Sequence, residues 1–381
     1  MSVAAIIAEY NPFHSGHAYQ IKKTRELGYD NIIAVMSSDT VQRGDIAICD
    51  PGFRAREAVK NGVDLVIELP TPYSCSSAHD FASAGVHIVK SLGVANALSF
   101  GSETGDAGLL CRCADMAGSL EPAKIKELCS AGLTYPQAVS RLLGDLGSIL
   151  AGANDTLAIE YILALKGTGI KPVAIKRTAA HDSPEACGGY LSASAIRQML
   201  AGDARDKAAQ FLSDLPDEDD ISLIQRVEKA ILFKLISSSE AEIRSAPYTS
   251  DGVAERIMRY AHRSCSLSEL YDKVKSRNIT HARVRRAVLM CALGVKADML
   301  RADPPYARVL AASAEGIKLL RECKRRSVIP ISSSLARLSR ISEQAAICAQ
   351  ITEKAAWLRR AASAGGLAGH LPEASRKFSV T

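Results

Sequence analysis

Val3 to Ala8 is an unbroken apolar run, the pattern of a short strand buried on both faces. Asn11-Pro12 breaks it at once, and Gly16 follows where backbone can pass close to a ligand. A strand, a tight turn and a helical start form the opening of a doubly wound sheet. In such a fold the first turn offers free N–H groups, at the positive end of a helix, as a seat for phosphate. His14 and His17 lie three apart, so on a helical start both imidazoles face the same way beside those groups. Two histidines near a glycine are ordinary on their own. Their position directly after an N-terminal strand gives them meaning.

The same alternation continues to about residue 200. The patterning predicts strands over 31–36, 63–69, 97–100 and 171–176, and helices over 18–27, 53–61, 76–92, 136–143 and 155–165. Strands separated by helices imply an α/β fold with a Rossmann-like, parallel, five-stranded sheet and right-handed crossovers. Ligands then bind at the carboxyl ends of the strands, where His14, His17, Gly101 and Arg177 converge. Further on, Ser192 and Ser194 are good N-caps for a helix continuing to Leu200, with Arg197 in its first turns. A plain cap with a surface arginine is the simpler account of that stretch alone. Hydroxyls, free N–H groups and a guanidinium at one helix start can also hold the outer phosphates of a nucleotide.

At 381 residues the chain is long enough for two domains and a well-buried core. Hydrophobic residues are 47% and charged residues 23%, as in a soluble globular protein. No apolar run approaches the roughly 20 residues that span a bilayer. The N-terminal run is too short for a signal peptide and lacks its basic flank. A cytoplasmic protein with no membrane partner is expected. The ten cysteines are scattered with no CxxC pair, so neither a disulfide nor a structural metal is expected.

Composition shifts near residue 203, dividing an α/β domain (1–202), which would hold the phosphate seat, from a mostly helical, basic domain (203–381). Ser213 to Asp220 is acidic and contains a proline, the make-up of an exposed connection. Helical periodicity follows, for example over 221–237 and 252–263. Between Lys273 and Ala297 there is no Asp or Glu, while Lys273, Lys275, Arg277, Arg283, Arg285, Arg286 and Lys296 are present. A second cluster is Arg321, Lys324, Arg325 and Arg326. A charge run is most often a solvated face. A basic stripe without acidic neighbours is also the footprint of phosphate-backbone contact, and Lys275, Arg277, Arg283 and Arg286 are its best candidates. Aromatic residues are only 5% of the chain, which argues against a broad stacking platform for single strands.

The stretch from His14 to His17 resembles the HxGH signature of the nucleotidyltransferase superfamily. Ser192 to Arg197 resembles the SSTxIR motif of cytidylyl- and adenylyltransferases. Taken together, the residues resemble one family within that superfamily, the bacterial tRNA(Met) cytidine acetate ligases. The similarity extends through Ala8 to His14, Val41-Gln42-Arg43-Gly44, Asn61 to Pro70, Phe100-Gly101-Ser102-Glu103 and Leu157 to Tyr161. It continues in Arg283-Val284-Arg285-Arg286, Tyr306 to Leu310 and Ser327-Val328-Ile329-Pro330, and fades after about residue 335. There are departures. Ser15 stands where the family has Asn, Ser38-Asp39 for a Gly-Asn pair, Ala153-Asn154-Asp155 for Pro-Asn-Asn, and Ser194 for Thr. Asp155 replaces a donor with a charge, a change expected to disturb contacts to adenine or ribose.

The resemblance implies an ATP-dependent ligase that activates acetate as acetyl-adenylate and N4-acetylates the wobble cytidine of elongator tRNA(Met). AMP and pyrophosphate are its products, and Mg²⁺ is expected on the triphosphate. It implies catalytic roles for His14 and His17. It places ATP against Ile7, Ala8, Glu9, Tyr10, Asn11, Pro12, Phe13, Ser15, Gly16, Ala18, Tyr19 and Gln20, with Gly101, Asn154, Arg177, Ser194 and Arg197. The sequence identifies no proton-transfer base for the cytidine amine; naming Glu9 or Asp39 is a guess. Two other classes fit parts of the pattern: a nucleotidyltransferase acting on a small phosphorylated substrate, and a non-catalytic RNA-binding relative. The first leaves the basic half without a job, and the second leaves both histidines without one.

Overall fold

β1 (Val3–Ala8) and β2 (Asn31–Ser37) are followed by a short antiparallel hairpin, β3 (Thr40–Val41) with β4 (Asp45–Ile46). Next come β5 (Leu65–Leu69), β6 (Ala97–Ser102) and β7 (Lys171–Lys176). This is a computed structural model describing residues 2–177, 191–368, 371–376 and 378–380. The five expected strands lie parallel in the order β5-β2-β1-β6-β7. Alternate residues of β1 serve opposite layers, as an apolar run in a two-faced sheet requires. Ile6 packs with Ile21 of α1 (Ser15–Glu26) and Ala55 and Ala58 of α2 (Pro51–Lys60). Val3, Ala5 and Ile7 pack with Phe81 and Val86 of α3 (Ala78–Ser91) and with Ile159 and Ile162 of the helix Ala153–Leu165.

The order reverses at β1, and there the sheet splays. β1 pairs with β6 only at Ala4 and Ala5, although both strands run further. The unpaired edges are capped by side chains. The Tyr161 hydroxyl donates to the Ile7 carbonyl at 3.5 Å, and Gln20 Nε2 donates to the Ser99 carbonyl at 3.1 Å. The gap is the crevice at the carboxyl ends of the strands.

Among the described residues the sheet has eight strands, three more than expected, and all three come from the second half of the chain. β8 (Ala307–Ala312) runs antiparallel to β5, and β9 (Ile331–Ser332) and β10 (Ser379–Val380) pair with β8. The chain after residue 203 therefore does not stay in a helical body of its own. A separate apolar cluster does join the helices Glu228–Ser237, Val253–Ala261, Leu267–Val274 and His281–Leu293. The helix expected over 221–237 starts only at Glu228, because Ser222 forms a β-bridge with Ser363. Among the described residues no single helix is long and apolar enough to cross a membrane.

The return of the chain is locked by buried charge. Arg359, near the end of the helix Glu343–Ala361, is fully buried and pairs with Asp39 Oδ1 at 2.8 Å, Asp220 Oδ1 at 2.8 Å and Asp50 Oδ2 at 3.4 Å. Asp220 belongs to the acidic stretch expected to be exposed; its Oδ2 also accepts the Asp50 N–H at 2.6 Å. Glu373 receives Arg308 at 3.2 Å, Arg360 at 2.6 Å and Arg376 at 2.6 Å. Deleting one member of such a cluster strands its buried counter-charges, a loss of about 3–5 kcal/mol. Arg359→Met should lower stability by that order, seen as a large fall in the urea midpoint. An unchanged midpoint would show that the cluster contributes no net stability.

Candidate active site

Between β1 and α1 the backbone makes a sharp turn. Tyr10 lies in the left-handed region at φ +45°, where a non-glycine residue is uncommon. Asn11 anchors the turn sideways, its Oδ1 accepting the Ile48 N–H at 2.7 Å. His14 is then the N-cap of α1, and its Nδ1 accepts the Gly16 N–H at 3.0 Å. His17, three residues on, reaches back so that its Nδ1 accepts the His14 N–H at 3.2 Å. The two rings stack 3.8 Å apart between centroids. A neutral imidazole carries one N–H, and with both Nδ1 atoms accepting, the proton sits on Nε2 in each. Burial, then Arg177 and Arg197, lowers the His14 pKa from its ordinary 6.5 to about 3. Burial, then His14 and Arg177, holds His17 well below the ordinary histidine range. The pair is two neutral, oriented N–H donors.

Two arginines face them. Arg177 follows β7, its backbone N–H bonded to the Ser102 carbonyl at 2.9 Å, and its stem crosses the face of Gly101. Its Nε is buried and meets no partner among the described residues. Buried donors are normally satisfied, so this one points to an acceptor supplied from outside. Arg197 sits in the helix Ala193–Ala201, donating to the Asn11 carbonyl at 2.8 Å and to Ser194 Oγ at 3.1 Å. It joins that helix start to the turn. Glu9 closes the other side, with Oε1 accepting the Gln42 N–H of the β3–β4 hairpin at 2.8 Å. Donors at a helix N-terminus, with cations beside them, form a seat for a polyphosphate.

Residues 1–363 match the HIGH Nucleotidyl Transferase family. A protein of Thermoanaerobacter sp. named tRNA(Met) cytidine acetate ligase is 32% identical over 360 residues, covering 88% of this chain and 90% of that protein. One of the same name from Syntrophotalea carbinolica is 34% identical over 368 residues, covering 89% and 86%. The chain belongs to the tRNA(Met) cytidine acetate ligase family. Thermotoga maritima TmcAL shares the fold: its apo structure superposes with a TM-score of 0.91 at 24% identity, covering 100% of this chain and 99% of that one. Its structure bound with alpha-thio ATP gives 0.89 at 23% identity, covering both chains fully.

Other residues expected to meet ATP in this ligase-family chain have structural engagements. Gln20 ties α1 to β6, Phe13 is a core residue, and the Ile7 side chain faces the core while its carbonyl meets Tyr161. Asn154 Nδ2 donates to Glu103 Oε1 at 2.6 Å. Glu103 Oε2 accepts the Asp155 N–H at 2.8 Å. Asp155 in turn accepts Ser102 Oγ and the N–H groups of Glu103 and Thr104, both at 3.0 Å. Its carboxylate is buried in that exchange and faces the β6 loop. Asp39, considered as a base, is fully buried and paired with Arg359.

Arg283 and Arg286 share a helix face as expected, but that face is engaged. Arg283 pairs with Asp251 at 2.8 Å, while Arg286 donates to the Gln42 carbonyl at 3.2 Å and lies over the Tyr248 ring. Lys275 and Arg277 are exposed. Sequence reasoning missed Glu103, Tyr161 and Arg54; the only signal was that Glu103 and Tyr161 fall within blocks shared with the family.

Two expectations follow. A Cβ at Gly16 would stand 2.9 Å from His14 Cε1, so Gly16→Ala should displace the imidazole and cut turnover about tenfold or more with little change in melting temperature. The imidazole C–H resonances of His14 and His17 should not titrate between pH 8 and 5. His14, with a folded pKa of about 3 against 6.5, contributes stability present in full above 6.5 and lost as pH falls towards 3, since the unfolded chain binds the proton more readily. A resonance of either ring titrating near 6.5 would overturn the neutral pair.

Proposed function

We propose that this chain is an ATP-dependent ligase that joins acetate to N4 of the wobble cytidine of elongator tRNA(Met), releasing AMP and pyrophosphate. The observation that carries it is the pair of neutral Nε2–H donors at the start of α1 beside Arg177 and its unpartnered Nε. In the first step an acetate oxygen attacks the α-phosphorus, the bond to the bridging oxygen breaks, and pyrophosphate leaves. Negative charge grows on the phosphate oxygens, and His14 and His17 donate to it without having to reorient. Neutral donors suit this step, because a protonated pair at van der Waals distance would repel each other and Arg177. Arg177 and Arg197, the latter placed by Ser194, carry the countercharge. In the second step the cytidine N4 attacks the acetyl carbonyl, AMP leaves, and the amine loses a proton. Asp39 is not that base, being committed to Arg359.

Among the described residues no three His, Cys, Asp or Glu side chains cluster to hold a metal. Mg²⁺ therefore enters, in this proposal, with the triphosphate as part of the substrate. The helical body, with exposed Lys275 and Arg277 and a direct link to the site through Arg286 and Gln42, is assigned the positioning of the tRNA. An anticodon-loop base is accessible to such a protein because it is unpaired.

The test is ATP–pyrophosphate exchange with and without acetate, on the wild type and His17→Ala. Acetate-dependent exchange is expected, falling about 100-fold or more in the variant, as for one lost oxyanion donor. Absence of exchange even with tRNA present would sink reversible acetate adenylation.

A further inference from the structure

Arg54 lies on α2 and does not reach the crevice, yet it is fully buried. Its guanidinium spends itself on main-chain carbonyls. Nε donates to Cys49 at 3.2 Å, Nη1 to Glu9 at 2.7 Å and to Ser37 at 3.0 Å, and Nη2 to Ser38. Among the described residues no carboxylate bonds to it; Asp39 and Asp50 act on it only through space, and Asp39 has its own ion pair with Arg359. A buried arginine costs several kcal/mol to desolvate, and an apolar residue at this helix position would avoid that cost but leave these carbonyls unpaired. The carbonyls it binds are not arbitrary. Glu9 and Ser37-Ser38 are where β1 and β2 end, and Cys49 precedes Asp50, the N-cap of α2. Ser37 is the last residue of β2 in register, opposite Leu69, and Glu9 and Ser38 lie just past the strand ends.

The Glu9 carbonyl belongs to the peptide that leads into Tyr10, the residue held at φ +45°. A left-handed conformation costs a non-glycine residue about 1–2 kcal/mol, so surrounding bonds must hold it. Arg54 to Glu9 does so on one side, and Asn11 Oδ1 to Ile48 N with Arg197 to the Asn11 carbonyl on the other. The turn then delivers His14 and His17. Asp50 in turn fixes α2 by accepting the Gly52 and Phe53 N–H groups at 2.7 and 3.1 Å, and is itself gripped by Arg376.

We propose that Arg54 is a positioning residue for the nucleotide site, its fork of bonds to Glu9, Ser37, Ser38 and Cys49 setting the turn that aims the His14 and His17 donors. This rests on the phosphate-directed role proposed above for the two histidines. A lysine would keep the charge but offer one nitrogen where the guanidinium uses three. Arg54→Lys is therefore expected to fold with a melting temperature within a few degrees of wild type. Its kcat for acetate-dependent exchange should fall about tenfold or more, with KM for ATP changed much less, since the histidines act on charge that develops in the transition state. A residue serving only stability would lower the folded fraction and leave kcat per folded molecule unchanged, and that result would overturn the proposal. If Arg54→Lys does not fold, Arg54→Gln decides, because it removes the buried charge and keeps an amide N–H that can reach only part of the carbonyl set. A fall in kcat per folded molecule supports the proposal, and an unchanged kcat overturns it. Wild type without exchange would instead refute the ligase reading. The two variants are then judged by the imidazole C–H resonances of His14 and His17, displaced resonances supporting a positioning role and unchanged ones overturning it.

Discussion

Arg359 places a full positive charge in the interior and makes three distant parts of the chain answer to it. Its partners Asp39, Asp50 and Asp220 come from the loop after β2, the cap of α2 and the acidic connection. Burial raises the Asp50 pKa, but Arg376 and Arg359 outweigh it and hold that carboxyl far below its usual range. In a low-dielectric interior each ion is tolerable only while its partners are present. The N-terminal sheet therefore reaches its final form only when residues 359–376 arrive. The last part of the chain is not an appendage, although it matches the family least well. Its carboxylates and guanidiniums complete the layer on which α2, and through it the turn at Tyr10, is supported.

The same logic, inverted, governs the crevice. There one cation is left with a donor to spare. Arg177 keeps an unpartnered Nε, and burial lowers its pKa while Glu103 opposes the shift. Between it and Arg197, further positive charge on the imidazoles would be repelled, and their environment keeps them neutral. A cleft with cations at its sides and uncharged oriented donors at its floor attracts a polyanion without paying to reorient dipoles once it arrives.

Much of this was legible in the sequence. The strands appeared because apolar runs buried on both faces have a clear signature, and the histidines because Asn11-Pro12 and Gly16 mark the turn that follows. β8 was not legible. Ala307 to Ala312 is short, and alanine-rich apolar runs do not separate strand from buried helix. Arg283 and Arg286 were read correctly as sharing a face. Their engagement was invisible because their partners, Asp251 and the Gln42 carbonyl, lie on other elements. Arg54 and Arg359 were missed for the related reason that a buried arginine looks like a surface one until the elements around it are assembled.

Asp155 shows how a departure from the family pattern can fit the structure better than the residue it replaces. Its two oxygens accept from Ser102 Oγ and from the N–H groups of Glu103 and Thr104, so its surroundings supply only donors. A carboxylate is acceptor-only and meets that set completely. An asparagine there would have to turn its NH2 towards a donor on one side, leaving a buried N–H unpaired. The charge is stabilised because two of the donors are main-chain N–H groups of the bend after β6. Glu103 returns the favour by accepting the Asn154 and Asp155 N–H groups at the start of the helix Ala153–Leu165. Favourable carboxylates at a helix start and in an N–H nest reinforce each other. The exchange fixes the β6 end against that helix, and with it the Ser102 carbonyl that holds the Arg177 backbone in the crevice.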